Sequence, residues 1–401
     1  MDHTAKLPEP WKKISVMAVD DSPLVSVIVP AHNAAKYLGE TLRSALAQTY
    51  RNIELIVVDD GSADETGTIA DRFAWEDRRV RVVRLDAQRG VAAARNAGIR
   101  QSRGELIAPL DADDVWYPQK VQKQVARMLH SPPGVGVVYA WSAHLDDRGE
   151  LTGGANTATE SGDVLLAMII RNFIGHASAP LIRRSCLDRV GLYDTRFAAQ
   201  QMQGCEDRDL YLRLAEHYQF AVVPELLIGY RRHDAAMSRS VGPMAACNEI
   251  LLSEMRSRHP EIPAEVFRWA RSHFADYLSN QCSQSGDYAG AWRWMVRAAW
   301  YDMWLLTEAR VLRRLVIAPV KLALRPLLAV LGVADREMWR GVAETMYANR
   351  PASLEALKHA HQRQLRRSRR MDHRLARVKL KMAESGRVGP SELSDPQLRT
   401  A

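Results

Sequence analysis

The chain has 401 residues and a formal net charge of +8, and 47% of its residues are hydrophobic. This length exceeds what one hydrophobic core usually organises, so we expect two units with the composition of a soluble globular protein. The four scattered cysteines match neither a disulfide framework nor a zinc site, which favours a reducing, cytoplasmic setting. Without a signal-peptide pattern or a run of about 18 apolar residues, we expect neither a secretory leader nor a spanning helix.

Residues 1–23 are expected to be flexible, and residues 24–240 then alternate apolar runs with helical segments such as Ala35–Gln48 and Ala63–Ala74. Apolar strands that alternate with helices at this spacing predict an α/β fold, in which a mostly parallel sheet is sandwiched by helices. The predicted strands are Val25–Pro30, Ile53–Val58, Val80–Leu85, Glu105–Leu110 and Val135–Ala140.

Residues 241–383 contain no strand-like run and predict an α-helical C-terminal region. Leu, Trp, Tyr and Ala occur at helical spacing within Ile250–Met255, Phe267–Leu278 and Ala289–Leu306. Residues 384–401 have the composition of a disordered tail.

Two segments of the C-terminal region are basic. Residues 310–333 mix Arg and Lys with Leu, Val and Ile, which suits either an anionic membrane surface or packing on the α/β domain. From Lys358 to Lys381 there are ten basic residues and one acid, Asp372, and this excess of nine accounts for the net charge. Because this stretch lacks interleaved aromatic residues, we expect a solvated or membrane-facing helix and no nucleic-acid binding.

Polar motifs follow the first two predicted strands. Pro30-Ala31-His32-Asn33 ends the first strand, and Asp59-Asp60-Gly61-Ser62 ends the second. In an open α/β sheet, ligands bind beyond the carboxyl ends of the strands, where an aspartate can accept hydrogen bonds from a nucleobase or ribose. The alternative interpretation is that an aspartate, or Ser62 or Asp64, caps the next helix.

An acidic cluster, Asp111-Ala112-Asp113-Asp114, follows the fourth predicted strand. Carboxylates this close repel one another, and a divalent cation offsets the repulsion. Mg²⁺ and Mn²⁺ prefer oxygen ligands and commonly bind one or two carboxylates together with substrate phosphates. A solvated acidic turn is the alternative, but the position directly after an apolar strand favours a metal site.

Further candidates are single polar or charged residues in later motifs. Arg95 can reach a phosphate or form a structural ion pair. Glu206 and Asp207 open a predicted helix, where the helix dipole stabilises acids, and a carboxylate there can also accept a proton at the mouth of a sheet pocket. His233 and Ser238 follow the last apolar run of the domain, and a single histidine is more often structural than a ligand.

Taken together, the motifs resemble those of the family 2 glycosyltransferases, which adopt the GT-A fold. The resemblance covers residues 24–240 and rests on VSVIVPAHNAAKYL, VVDDGSADET, RGVAAARNAGI, LDADD, GLYD, CEDRDLYLRL and YRRHD, in that order. It implies an inverting, metal-dependent hexosyltransferase that moves a sugar from a nucleotide-diphospho-sugar, with UDP as the expected carrier, to an acceptor hydroxyl. The expected pathway is the assembly of cell-surface polysaccharide or another glycan.

The resemblance also implies roles for individual residues in binding the nucleotide-sugar. Arg95 and Ser238 would contact the phosphates, and Asp111 would face the ribose or the sugar. The nucleoside pocket would be lined by Pro30, His32, Asn33 and Asp60.

The same resemblance implies a metal site and a general base. Asp113, together with His233, would bind a divalent cation, either Mn²⁺ or Mg²⁺. Asp207 would remove the proton from the acceptor hydroxyl, with Glu206 beside it.

Two other functions compete with this interpretation. One is a non-enzymatic scaffold that acts through the helical C-terminal region and its tryptophans. The other is a sugar nucleotidyltransferase, although the Gly-rich phosphate loop of such enzymes is replaced here by Pro30-Ala31-His32-Asn33.

For the glycosyltransferase, the expected partners are a nucleotide-sugar donor and a glycan or lipid-linked acceptor. The expected location is the cytoplasm, with peripheral contact at the inner face of the cell membrane through residues 310–333 and 358–381.

Overall fold

A computed structural model of the chain describes residues 22–199, 202, 204–233, 241–308 and 354–384, with several positions between 311 and 323. Four of the predictions above lie wholly or mostly outside these residues. They are the flexible segment at 1–23, Ser238, the basic segment at 310–333 and the tail at 384–401.

One half of the central sheet consists of four parallel strands. They are β1 (Val25–Ala31), β2 (Ile53–Asp59), β3 (Val80–Arg84) and β4 (Leu106–Pro109). Their order is β3-β2-β1-β4, and Ala31 at the end of β1 lies opposite Asp59 at the end of β2. Every residue of β1, β2 and β4 is buried, as expected for apolar strands covered on both faces.

The other half of the sheet is mixed. It contains β5 (Val115–Trp116), β6 (Val135–Leu145), β7 (Leu151–Asn156), β8 (Pro180–Arg183) and β9 (Gln219–Arg231). β8 runs antiparallel to both β4 and β6, whereas β6 and β9 are parallel. β5 and β7 join antiparallel to β9 and β6. The predicted α/β class is confirmed, and the parallel pairing expected for most of the sheet is concentrated in its first half.

Helices accompany the sheet, and one of them packs unusually close to it. The helices of the α/β part are α1 (Ala35–Leu46), α2 (Thr66–Glu76), α3 (Val91–Gln101), α4 (Lys120–Leu129), α5 (Leu165–Ile170), α6 (Arg184–Val190), α7 (Arg196–Ala199) and α8 (Glu206–Ala215). A Cβ atom on Gly98 of α3 would lie 2.6 Å from Ile28 Cγ2 of β1, so only glycine permits this approach. The close packing fixes the position of Arg95, one turn earlier on α3.

The described residues of the C-terminal region are helical, as predicted. It comprises α9 (Val241–Arg258), α10 (Ala264–Gln284), α11 (Tyr288–Tyr301), a 3₁₀ turn (Met303–Thr307) and α12 (Leu354–Glu384). Asp287 accepts a hydrogen bond from the Gly290 N–H and caps α11. The predicted third helix ends at Tyr301 instead of Leu306, because Asp302 adopts an extended conformation and its side chain caps the 3₁₀ turn.

The basic segment Lys358–Lys381 lies within α12 and packs against the rest of the protein. Gln364 accepts a hydrogen bond from the Thr157 N–H at 2.8 Å. The Arg374 guanidinium pairs with Asp302 at 2.6 Å and lies over the Trp269 ring. The apolar side of the helix is buried in the same core as the sheet, through Leu375, Val378 and Met382. None of the described helices has the length and apolar character needed to cross a bilayer.

A buried carboxylate joins β1, β2 and the turn before β4. Glu54 is 3% exposed and accepts hydrogen bonds from the Ser26 hydroxyl at 2.6 Å and from the Arg103 N–H at 2.5 Å. Arg81 pairs with its other oxygen. Burial by itself raises the pKa of Glu54, but these hydrogen bonds and the charge of Arg81 outweigh it and lower the pKa.

We predict that Glu54→Ala lowers the free energy of unfolding by about 3 kcal/mol, because the buried donors lose their acceptor. Urea denaturation at neutral pH measures the change. Glu105→Ala, at an exposed position beside β4, is the matched control and should leave stability nearly unchanged. Equal losses in both variants would contradict a special role for Glu54.

Candidate active site

The polar motifs predicted from the sequence meet at one edge of the sheet. β1, β2 and β4 run parallel, so their carboxyl ends lie at the same edge. The end of β9 joins them, because the Arg231 N–H donates to Asp114 Oδ1 at 2.9 Å. The acidic cluster after β4 and the basic residues at the end of β9 therefore form the floor of one site.

Arg95 links two of the predicted functional acids. Its Nη2 donates to Asp111 Oδ1 at 2.5 Å, and its Nη1 donates to Asp207 Oδ1 at 2.7 Å. The guanidinium side chain is only 4% exposed and lies over the Tyr193 ring, 5.1 Å from its centroid. Of the two interpretations left open for Arg95, the ion pair is the one observed, and contact with a phosphate stays a prediction.

The segment that carries Tyr193 is fixed to α3 by a side chain beside Arg95. The Asn96 amide donates to the Tyr193 carbonyl at 2.8 Å and accepts from the Tyr193 N–H at 2.9 Å. Through this two-point contact, the GLYD segment forms a wall of the Arg95 pocket. The sequence pattern included this motif without indicating a role for it.

Asp207 has the properties of a proton acceptor at neutral pH. Burial raises the pKa of its carboxyl to about 7, Arg95 opposes the rise, and the charges of Asp111 and Glu206 reinforce it. The side chain is still 23% exposed, so an acceptor group can reach it. Glu206 is more deeply buried and accepts a hydrogen bond from the Gly204 N–H at 2.8 Å.

The two predicted metal ligands are neighbours. His233 Nε2 lies 2.8 Å from Asp113 Oδ2, although the residues are 120 positions apart in the chain. The described residues contain no cluster of three or more metal-binding side chains. A carboxylate and an imidazole nonetheless fit a divalent cation such as Mn²⁺ that takes its remaining ligands from substrate phosphates and water. Asp113 has the required access, with 30% of its side chain exposed.

The third carboxylate of the acidic cluster has a structural position. Asp114 is fully buried, and its Oδ2 accepts from the Ser178 hydroxyl at 2.6 Å. The same Ser178 oxygen accepts from the Asp111 N–H at 3.0 Å. Burial, together with the charges of Asp113 and Asp111, raises the pKa of Asp114 well above its usual range. The cluster is therefore not a solvated acidic turn.

Two supporting residues were missed by the sequence analysis. Arg231 is buried, and its Nε donates to the Asp113 carbonyl at 2.9 Å while its Nη2 pairs with Glu40. Its place in the YRRHD motif was the available signal. Ser178 lies in an irregular segment without any pattern that would have identified it.

The predicted nucleoside residues hold the backbone around β1 and β2. Asp60 accepts hydrogen bonds from the N–H groups of Arg89 and Gly90, just ahead of α3. Asp60 therefore holds the turn before α3, and the capping alternative is observed for Asp64, which accepts from the Thr66 N–H at the start of α2 at 3.0 Å. His32 Nδ1 lies 2.8 Å from the Asp60 carbonyl oxygen.

The neighbouring positions differ in exposure. Asn33 is exposed, adopts a positive φ of 48° and accepts from the Ala63 N–H, whereas Pro30 is buried within β1. Contact of these residues with a nucleoside remains a prediction, as do the site roles assigned to the other residues.

A mixed sheet with helices packed against it and an acidic cluster after β4 agree with the GT-A type of domain expected from the sequence. Residues 26–190 match the sequence model of the family described as Glycosyl transferase family 2. This segment of the α/β domain is therefore similar to the family 2 glycosyltransferases.

Comparison with individual proteins agrees with this assignment. The chain is 32% identical over 218 residues to an uncharacterised glycosyltransferase of Rickettsia typhi, covering 53% of this chain and 65% of that protein. It is 41% identical over 107 residues to the putative teichuronic acid biosynthesis glycosyltransferase TuaG of Bacillus subtilis, covering 27% and 42%. Both matches span less than two thirds of the relative's own length.

Among solved structures, the chain is similar to S. aureus TarS 1-349 in complex with UDP-GlcNAc. The two share 17% sequence identity with a TM-score of 0.45, and the similarity covers 69% of this chain and 91% of that one.

We predict that Arg95→Met lowers the free energy of unfolding by about 3 kcal/mol at pH 8, because two partly buried carboxylates lose their shared cation. Without that charge the folded-state pKa of Asp207 rises further above its unfolded value, so the folded state binds the proton more tightly. The loss should therefore be smaller at about pH 5.5 than at pH 8. Urea denaturation at both pH values gives the difference.

The matched control is Arg84→Met, which removes a surface ion pair with Asp71. Exposed pairs contribute below about 1 kcal/mol, so this variant should change little at either pH. A loss for Arg95→Met that does not depend on pH would contradict the electrostatic explanation.

Proposed function

We propose that the protein is an inverting glycosyltransferase that moves a sugar from a nucleotide-diphospho-sugar to an acceptor hydroxyl. The observation that carries this proposal is the pair of acids bridged by Arg95 at the ligand-binding edge of the sheet. One of them, Asp207, has a pKa of about 7 and remains accessible. The match of residues 26–190 to the family 2 sequence model supports the same reaction class.

The proposed chemical step uses Asp207 as the general base. The acceptor oxygen attacks the anomeric carbon while its proton passes to the Asp207 carboxylate, and the bond from that carbon to the diphosphate breaks. A single displacement of this kind inverts the configuration at the anomeric carbon. Arg95 holds Asp207 in position through its 2.7 Å contact and orients Asp111 towards the same space.

Asp113 and His233 are the residues that would hold the divalent cation. When bound, such a cation neutralises the negative charge that develops on the departing diphosphate. Arg231 and Ser178 keep the backbone of the acidic cluster in place, because one binds the Asp113 carbonyl and the other the Asp111 N–H. Asp113 is thereby directed to His233 while Asp111 is directed to Arg95.

For the substrate, we propose a UDP-sugar donor and an acceptor that belongs to a cell-surface polysaccharide. Support for the acceptor comes from the similarity to TuaG, whose name assigns it to teichuronic acid biosynthesis. The UDP carrier is chosen from the resemblance to the family alone. A cytoplasmic location follows from the same proposal, because nucleotide-sugars are made there.

We predict that the protein releases nucleoside diphosphate from one member of a panel of nucleotide-sugars, and only when Mn²⁺ or Mg²⁺ is present. Water replaces the acceptor in this assay, so no acceptor has to be known. Asp113→Ala and Asp207→Asn should each lower the rate by about 100-fold or more, because one loses a metal ligand and the other the base. Asp188→Asn, at an exposed position on α6, is the control. Full activity of Asp207→Asn would refute its assignment as the base.

We also predict that kcat/KM rises with pH, with a midpoint near pH 7 and a plateau above it. Asp207 acts as a base only when deprotonated, and its pKa is raised to about 7. Below that value the rate should therefore fall by about tenfold per pH unit. Initial rates of donor hydrolysis at constant ionic strength measure the profile, with circular dichroism at each pH to confirm folding. A flat profile between about pH 5.5 and 8 would exclude Asp207 as the titrating base.

A further inference from the structure

The helical region carries a group of large apolar side chains that face solvent. Trp292, Val296 and Trp300 are exposed and spaced four residues apart on α11, so they form one stripe along the helix. Met303 and Trp304 are exposed on the adjoining 3₁₀ turn. Trp300 is 84% exposed, which is far more than a folded protein usually leaves in water for this side chain.

The next described positions extend this surface. Val311 is buried and Leu315 packs beside it, against Met295 and Leu305 of α11 and the 3₁₀ turn. Exposed apolar side chains follow at a spacing of four, namely Leu312, Val316 and Val320. One side of this segment therefore packs on α11, and its other side is exposed and apolar. We name the exposed apolar side chains of α11, the 3₁₀ turn and this segment the tryptophan face.

The tryptophan face is basic as well as apolar. Arg293 and Arg297 are exposed between the apolar residues of α11, and this helix contains no acid. Asp287, just before α11, caps the helix, and Asp302, just after it, is buried and paired with Arg374. The charge that the face offers to a partner is therefore positive.

The tryptophan face begins beside the candidate active site. Arg232 Nη2 donates to Gln284 Oε1 at 2.9 Å, which places the turn between α10 and α11 next to the segment that carries His233. A surface cleft lined by Trp292, Arg293 and Arg297 lies at the same end of α11. A substrate held at this face would lie close to the site.

We propose that the tryptophan face binds the surface of an anionic lipid bilayer. Tryptophan is favoured at the boundary between lipid and water because its ring is apolar and its N–H is polar. Arginine between such residues supplies attraction to anionic headgroups, and a helix with this combination lies in the plane of the interface. The basic charge and the absence of acids on α11 favour lipid over an apolar protein surface. Such docking would deliver a lipid-linked acceptor to the site.

The test is sedimentation of the full chain with vesicles of phosphatidylcholine alone or with about 30% phosphatidylglycerol. We expect binding to the anionic vesicles that weakens as salt is added. The double variant Trp300→Ser/Trp304→Ser should lower the partition coefficient by about tenfold or more. Arg293→Gln/Arg297→Gln should weaken binding to anionic vesicles only. Trp75→Ser, which removes a 91% exposed tryptophan from α2, is the matched control and should bind as the wild type does.

Two results would overturn the proposal, namely no binding of the wild type to either vesicle and equal binding of the Trp300→Ser/Trp304→Ser variant. If the variant with equal vesicle binding also loses self-association, the occupant of the face is a second copy of the chain. Donor hydrolysis by each variant is measured alongside and should be unchanged. Loss of the proposed enzyme function would appear in hydrolysis alone, so the two proposals fail separately.

Discussion

The arrangement of the site depends on one buried cation. Arg95 is almost inaccessible to solvent, and burying a guanidinium is costly unless acceptors such as carboxylates pair with it. Asp111 from the end of β4 and Asp207 from the start of α8 meet that requirement. Because these acids come from distant parts of the chain, their common partner sets the distance between the two carboxylates. The same cation restrains the pKa of Asp207, which burial would otherwise raise further.

The acidic cluster after β4 shows how neighbouring carboxylates are given different properties. Asp111 faces Arg95, Asp113 faces His233, and Asp114 is buried against Ser178. Each acid thereby has a partner of its own, and their mutual repulsion is reduced. Of the three, Asp113 combines exposure with a neighbouring imidazole, which supports the role in metal binding proposed for it.

The sequence indicated the parts of the site that depend on local pattern. Apolar runs predicted β1, β2 and β4, and parallel pairing then brought the motifs at their ends together. The apolar pattern did not predict that β8 lies antiparallel between β4 and β6. That pairing depends on contacts between residues that are distant in the sequence. Ser178 was missed for the same reason. We expected Lys358–Lys381 to be a solvated or membrane-facing helix, but its apolar side packs in the core of the protein. A sequence shows that a helix has an apolar side but does not show which surface covers that side.

The helical region is part of the same structural unit as the site, which has a consequence for how the protein can act. Trp269 of α10 lies in the core shared with the sheet and stacks under Arg374 of α12. Arg374 in turn holds Asp302, the residue that ends α11 and orients the exposed Trp304. Movement of α11 relative to the sheet would break this buried chain of contacts. A partner bound at the tryptophan face, as proposed above, would therefore have a defined orientation relative to the acids at the edge of the sheet.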